Sequence, residues 1–207
     1  MSKSPYETRR AELVKNLVDA YLHASPAARH DGHAWYPKAR RIVAEWAESY
    51  ALPINTVASV VAAISPQCDW SRNLVIADDV LAERAISIGG ALHKNIDKAR
   101  RIRTSPNHTL ASMMQLFPHG PKVNCFAWNL AGNDRIVTID THMGQAACAD
   151  VTATPRLAWV VYRIFAECTT IAATRVGIMP ATFQAIVWHA WKERYPRTEK
   201  RKKRARW

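Results

Sequence analysis

Apolar residues recur at helical spacing along most of the chain. Leu13, Leu17 and Tyr21 stand four residues apart, which predicts an amphipathic helix over about residues 6–23. An almost wholly apolar run over about residues 57–64 predicts a central, buried helix. Only residues 135–139 have the pattern of an extended segment. The pattern therefore predicts an all-α fold.

Helix-breaking residues place the turns between the other helices. Residues 30–33 read H-D-G-H and are predicted to form a loop. Pro66 is expected to end the central helix, and Asp69 to cap the helix that follows. Further helices are predicted over residues 39–50, 74–88, 95–103, 122–130, 141–149, 155–168 and 181–195. We expect residues 1–196 to form a single compact domain with two sublobes.

The chain is strongly basic. Its 207 residues carry a net charge of +12, and residues 197–207 hold seven Lys or Arg against a single acid. A polyanion is the expected partner of such a protein. We predict that residues 197–207 form a basic disordered tail, for which a solubilising or nuclear-targeting role is the alternative.

The cysteines indicate a reduced protein. Cys68, Cys125, Cys148 and Cys168 are scattered singly, without a C-x-x-C pair. No signal peptide or membrane span is visible, so we expect a cytoplasmic, monomeric protein that needs no membrane, metal or cofactor.

The chemically most informative stretch runs from Gly120 to Asp140. Lys122 opens a predicted helix, and Asp140 opens the next one eighteen residues later. An unprotonated lysine amine is a nucleophile, and a nearby carboxylate can stabilise a cationic sugar in a transition state. The plain alternatives are a solvated lysine and an ordinary N-cap aspartate. A lysine in the first helical turn opposes the helix dipole, which favours a use other than stability.

The same stretch resembles the helix-hairpin-helix DNA glycosylases, the superfamily of endonuclease III and the 8-oxoguanine glycosylases. Residues 120–123 read G-P-K-V, like the end of the hairpin and the Schiff-base lysine of that family. Residues 139–143 read I-D-T-H-M, similar to its V-D-x-H-[VM] signature. The resemblance covers about residues 55–195. It implies two helical lobes with a cleft between them and a helix-hairpin-helix at its edge.

The resemblance also assigns roles to these residues. Lys122 and Asp140 would be catalytic, while His142 and the hairpin glycine Gly120 would contact the DNA backbone. The iron–sulfur cluster of endonuclease III-like members is not expected, because no cysteine follows Cys168.

The hairpin departs from the family pattern. Residues 116–120 read L-F-P-H-G where the family usually has L-P-G-[VI]-G, so Pro118 replaces the first glycine. Proline lacks the N–H that such hairpins direct at a phosphate. His119 is a candidate replacement donor, and a solvated loop histidine is the alternative.

The substrate base would be read by an amide and aromatic rings. Residues 184–188 read Q-A-I-V-W, similar to the Q-A-x-x-[FW] stretch of 8-oxoguanine glycosylases. The resemblance implies that Gln184 reads the base edge and Trp188 covers one ring face, with Phe126 on the other. A core position is the alternative for both aromatic residues.

A second turn is expected to enter the DNA. Residues 64–67 read I-S-P-Q, similar to the L-S-x-Q turn of the family, so Gln67 would insert at the flipped base. Trp70 follows on the same segment as a further DNA contact, and Asn73, one turn later, is expected to face the cleft. A polar turn residue is the alternative for Gln67.

The sequence therefore predicts a DNA glycosylase with AP-lyase activity on double-stranded DNA, located in the cytoplasm with nucleoid or viral DNA. An oxidised purine such as 8-oxoguanine is the expected class of target base. One alternative is a glycosylase-like transferase of a DNA virus that helps to build hypermodified bases. The other is a DNA-binding protein that uses the same scaffold without catalysis.

Overall fold

The secondary structure is helical throughout the part of the chain that the structure describes. The computed structural model describes residues 4–118 and 120–196, so His119 and the predicted tail at residues 197–207 lie outside it. Within these residues the chain forms ten helices and no strand, which confirms the all-α class. The helices are α1 (Arg10–Leu22), α2 (Pro26–Ser49), α3 (Ile54–Ile64), α4 (Trp70–Leu81), α5 (His93–Arg103), α6 (Leu110–Met114), α7 (Pro121–Leu130), α8 (Thr141–Cys148), α9 (Trp159–Arg175) and α10 (Pro180–Arg194).

The chain divides into two compact units. Unit 1 comprises the residues up to Trp35 and those from Ile139 onward, and unit 2 is the continuous segment Tyr36–Thr138. In unit 1, α1 packs against α8, α9 and α10. In unit 2, α3 packs against α4, α5, α6 and α7. One division between the units falls within α2, after Trp35. The other falls after Thr138, just before α8.

Helix α3 is the centre of unit 2. All residues from Thr56 to Ile64 are buried, as the apolar run predicts. A helix that is apolar on every side is stable only when neighbours surround it. The four helices that contact α3 supply that environment.

The loop predicted at residues 30–33 is wrong, because α2 is continuous from Pro26 to Ser49. Pro26 suits a first helical position, and the hydroxyl of Ser25 accepts a hydrogen bond from the N–H of Ala28 (3.0 Å). Gly32 does not interrupt the helix but allows a close approach. A Cβ added at Gly32 would lie 2.5 Å from the Cα of Ile186 in α10.

The helix predicted to follow Asp69 begins there, but its predicted end at residue 88 is wrong. Helix α4 begins at Trp70 and ends at Leu81, and Glu83 then turns the chain with a φ of 58°. The buried carboxylate of Asp79 accepts hydrogen bonds from the N–H (2.8 Å) and hydroxyl (2.7 Å) of Ser87. Asp69 occupies the N-cap position of α4, but its side chain makes no capping hydrogen bond, contrary to the prediction.

Helix α9 begins at Trp159 and not at Pro155 as predicted. Pro155 instead lies against α8, where a Cβ added at Gly144 would come within 2.6 Å of its ring. Pro155 therefore packs against α8 and does not begin a helix. The prediction relied on the preference of proline for the first helical turn.

Residues 131–138 follow α7 without regular secondary structure, and Asn129 holds them in place. The Asn129 side chain is fully buried, and its amide group donates hydrogen bonds to the carbonyls of Asn133 (2.8 Å) and Ile136 (2.7 Å). Its carbonyl oxygen accepts from the hydroxyls of Tyr36 (3.1 Å) and Thr138 (2.7 Å). The Asn129 side chain thus supplies hydrogen bonds to backbone carbonyls that a neighbouring strand would otherwise supply.

We predict that Asn129→Asp destabilises the protein by about 2–5 kcal/mol, because a carboxylate leaves two buried carbonyls without donors. The free energy of unfolding in urea measures the effect. Asn107→Asp is the matched control, since the exposed Asn107 uses only its side-chain oxygen, to accept hydrogen bonds from Thr109. The control should stay within about 0.5 kcal/mol of the wild type. Equal losses in the two variants would contradict the role given to Asn129.

Candidate functional site

Asp140 lies at the start of α8 in unit 1, and hydrogen bonds hold both oxygens of its carboxylate. Oδ1 accepts the backbone N–H of Met143 (3.0 Å), which makes Asp140 the N-cap of α8. Oδ2 accepts the indole N–H of Trp188 in α10 (2.9 Å). Asp140 and Trp188 come from separate motifs 48 residues apart, and the fold of unit 1 joins them.

Trp188 is the centre of a group of aromatic and basic side chains. Its ring stacks on Trp35, with centroids 5.9 Å apart and an interplanar angle of 29°. His142 meets it edge to face at 6.3 Å, and the ammonium of Lys192 lies 3.9 Å from the centre of the ring. We call Asp140, His142, Trp35, Trp188 and Lys192 the Asp140 cluster. A cation placed so close to an aromatic face is attracted by its quadrupole.

His189 borders the Asp140 cluster, with its ring 5.1 Å from that of Trp188. Its Nε2 is buried and has no hydrogen-bond partner among the residues that the structure describes. Burial lowers the pKa of His189 below its ordinary value of 6.5, and Lys192 acts in the same direction, while Asp31 opposes them.

Gln184 stands one turn before Trp188 in α10. Its side chain is 6% exposed, so it lies in the interior of unit 1. The amide is thus placed on the helix that carries Trp188, as its spacing predicts.

Lys122 lies in unit 2, at the second position of α7 after Pro121, and is half-buried. Phe126, one turn later, is 7% exposed. Its ring meets Trp70 edge to face, with centroids 6.3 Å apart and an angle of 68°. Trp70 at the start of α4 therefore contacts Phe126 of α7, the helix that carries the lysine.

The other predicted residues of unit 2 have separate surroundings. Gly120 precedes α7, and its N–H donates to the carbonyl of Phe117 (2.9 Å). Gln67 is exposed and has a φ of 59°, at the turn that follows α3. Asn73 is 1% exposed and donates to the carbonyl of Val61 (3.0 Å), which joins α4 to α3.

The structure therefore brings together Asp140, His142 and Trp188 in unit 1, and Trp70 and Phe126 in unit 2. Lys122 and Asp140 belong to different units, and their meeting stays a prediction. The sequence did not predict Lys192, Trp35 or His189 in or beside the Asp140 cluster. The spacing of Lys192, four residues after Trp188 on one helix face, could have indicated it. No comparable spacing indicates Trp35 or His189.

The family assignment rests on nearly the whole chain. Residues 1–195 match the model described as "Family of unknown function (DUF7178)". The chain belongs to DUF7178. No curated protein matches it, and no solved structure does.

Two general properties of this DUF7178 member bear on its site. Within residues 4–118 and 120–196, no three His, Cys, Asp or Glu side chains come together as a metal site. No single helix in that part of the chain is long and apolar enough to cross a membrane. Helices α9 and α10 pass that test only as a pair bent by 99°, by length and composition alone.

We predict that the protein loses stability as the pH falls below about 6.5, partly through His189. Because the pKa of His189 is lower in the folded state, the unfolded chain binds a proton that the folded chain does not. This contribution to stability is present above 6.5 and is lost as the pH falls toward the folded pKa. Unfolding in urea between about pH 7.5 and 5.5 measures it.

His189→Gln should reduce that pH dependence, since glutamine stays neutral. His33→Gln, at an exposed position of α2, is the control and should leave the dependence unchanged. A His189→Gln variant with the full wild-type dependence would contradict the prediction.

Proposed function

We propose that this protein is a DNA glycosylase with AP-lyase activity, which excises a modified base from double-stranded DNA. The hydrogen bond between Asp140 and Trp188 is the observation that carries the proposal. The two residues belong to separate motifs of the family resemblance, and they lie in direct contact. Trp70 and Phe126, which were also predicted to lie at the DNA or the base, likewise contact each other.

The nucleophile in this mechanism is the amine of Lys122. Its nitrogen attacks C1′ of the sugar, the bond to the base breaks, and the base leaves with the electron pair and takes up a proton. The sugar ring then opens to a Schiff base on Lys122. Loss of a C2′ proton from that intermediate permits β-elimination of the 3′ phosphate.

Asp140 serves as the acid partner in the proposal. A carboxylate that accepts two N–H groups keeps a fixed orientation and does not need to reorganise when positive charge develops on the sugar. The N-cap role of Asp140 is compatible with this one, because a carboxylate oxygen has more than one lone pair.

The base itself would meet aromatic and amide groups. Phe126 stands one turn after Lys122, and the half-buried ring of Trp70 packs against it. A flipped base is commonly held between apolar side chains and read at its edge by hydrogen bonds. We assign the apolar contact to Trp70 and Phe126 and the edge contact to Gln184. An oxidised purine remains the proposed class of base.

DNA binding would use the basic face of α5 in unit 2. Asn95, Ile96, Ala99 and Ile102 of α5 are buried, whereas Lys94, Arg100 and Arg101 are exposed. These three cations form no ion pair with any described residue, although Asp97 lies among them. Unpaired cations along one helix face suit the phosphates of a duplex.

We predict that borohydride traps the wild-type protein covalently on a duplex that carries its target lesion. A panel of duplexes with one defined lesion each identifies the base. Lys122→Gln should give no adduct, while Lys38→Gln, an exposed lysine of the same unit, should give the wild-type yield. Asp140→Asn should slow base release by at least about 100-fold and leave DNA affinity nearly unchanged.

Mass spectrometry of the products separates the alternatives. A free base with an abasic site supports excision, and an altered nucleoside would support a transferase instead. Unchanged DNA with tight, salt-sensitive binding would support a binding protein without catalysis. An adduct that survives Lys122→Gln would remove the proposed nucleophile.

We predict that changing Lys94, Arg100 and Arg101 together to Gln weakens DNA binding and reduces its salt dependence. Three lost phosphate contacts should reduce the slope of log K against log salt by about 2 to 3. The control triple changes Arg9, Lys15 and Arg163 to Gln. It removes the same charge from cations paired with acids, and it should reduce the slope by less than about 1. Equal effects of the two triples would show that net charge alone governs binding.

A further inference from the structure

Trp188 makes several contacts within its own unit. Its ring stacks on Trp35 and carries the ammonium of Lys192 at 3.9 Å. Its one polar atom, the indole N–H, is used for the carboxylate of Asp140. The ring thus contacts an aromatic group, a cation and a carboxylate of its own unit.

We infer that Trp188 is a positioning residue that orients the carboxylate of Asp140, and this inference rests on the proposed function. The N–H of Met143 holds only Oδ1, about which the carboxylate group can still turn. The indole N–H of Trp188 holds Oδ2 and thereby fixes the plane of the group. Two donors from α8 and α10 define an orientation that a helix cap alone does not.

The stack with Trp35 explains why the donor is an indole. A tryptophan offers a large flat surface for packing together with a single directed N–H. Trp35 fixes the plane of the Trp188 ring, and the edge of His142 limits its rotation. Trp35 therefore supports Trp188, and Trp188 in turn holds Asp140. The bases would be covered by Trp70 and Phe126 and not by Trp188.

The test uses a change that keeps the ring and removes the hydrogen bond. Trp188→Phe retains an aromatic face, so a base-covering role predicts nearly unchanged kinetics. A positioning role predicts that kcat for base release falls about 100-fold while KM and DNA affinity stay close to wild type. On the duplex identified by trapping, single-turnover assays measure the rate of base release, steady-state assays measure KM, and a binding titration measures DNA affinity.

The matched control is Trp191→Phe in the same helix. Trp191 is buried, and its indole N–H has no hydrogen-bond partner among the described residues. Trp191→Phe removes an indole N–H that donates no hydrogen bond to a described residue, so activity should stay at the wild-type level. Thermal unfolding of both variants checks that α10 remains folded.

A double-mutant cycle links the effect to Asp140. If Trp188 acts through the carboxylate, Trp188→Phe should add no further loss in the Asp140→Asn background. Additive losses, or a Trp188→Phe variant with full activity, would overturn the inference.

A second readout does not depend on catalysis. In NMR spectra, the indole N–H of Trp188 should exchange slowly with solvent in the wild type and at least about tenfold faster in Asp140→Ala. An unchanged exchange rate would overturn the hydrogen bond on which the inference rests.

A wild-type protein that releases no base from any duplex would overturn the proposed function and the inference together. An active wild type with a fully active Trp188→Phe would overturn the inference alone.

Discussion

The buried amide of Asn129 is the interaction on which the irregular segment after α7 in unit 2 depends. It satisfies two carbonyls and one hydroxyl of residues 131–138, which form no strand or helix, and also the hydroxyl of Tyr36 in α2. Buried backbone groups without partners destabilise a fold, so an irregular segment next to a core needs such a side chain. The guanidinium of Arg40 adds a bond to the Asn129 carbonyl and a pair with Asp134. The segment is thereby fixed as far as Thr138, two residues before Asp140.

Much of the helical architecture could be predicted from periodicity, because most helices present one apolar face to a core. The failures occurred where tertiary contacts outweighed local preference. Gly32 suggested a loop, but its missing Cβ is what lets α2 approach Ile186. Pro155 suggested a helix start, but it packs against Gly144. Asp69 stands at the predicted N-cap position without the expected hydrogen bond, since sequence indicates a capping residue type and not the rotamer it adopts.

The contacts of Asp140 could be predicted only in part from the sequence. Asp140 was expected at a helix start, where its N-cap bond is local in sequence. Its second bond, to Trp188, depends on how α8 and α10 pack, which spacing along the chain does not encode. The same holds for Trp35, which lies in a polar stretch and stacks on Trp188 only because α2 and α10 pack together. The resemblance names Trp188 as a base contact, and it does not include the hydrogen bond of Trp188 to Asp140.

The order in which the chain is made has a consequence for this arrangement. Unit 2 is continuous, so all of it is synthesised before α8, α9 and α10 exist. Helix α1 is synthesised first, but it packs against α8, α9 and α10, which follow unit 2 in the sequence. It can therefore reach its folded surroundings only after they have been made. A nascent chain can thus complete the helix that carries Lys122 while Trp35 still lacks Trp188. The hydrogen bond between Asp140 and Trp188 can form only after α10 has been made, when all of unit 2 is already complete.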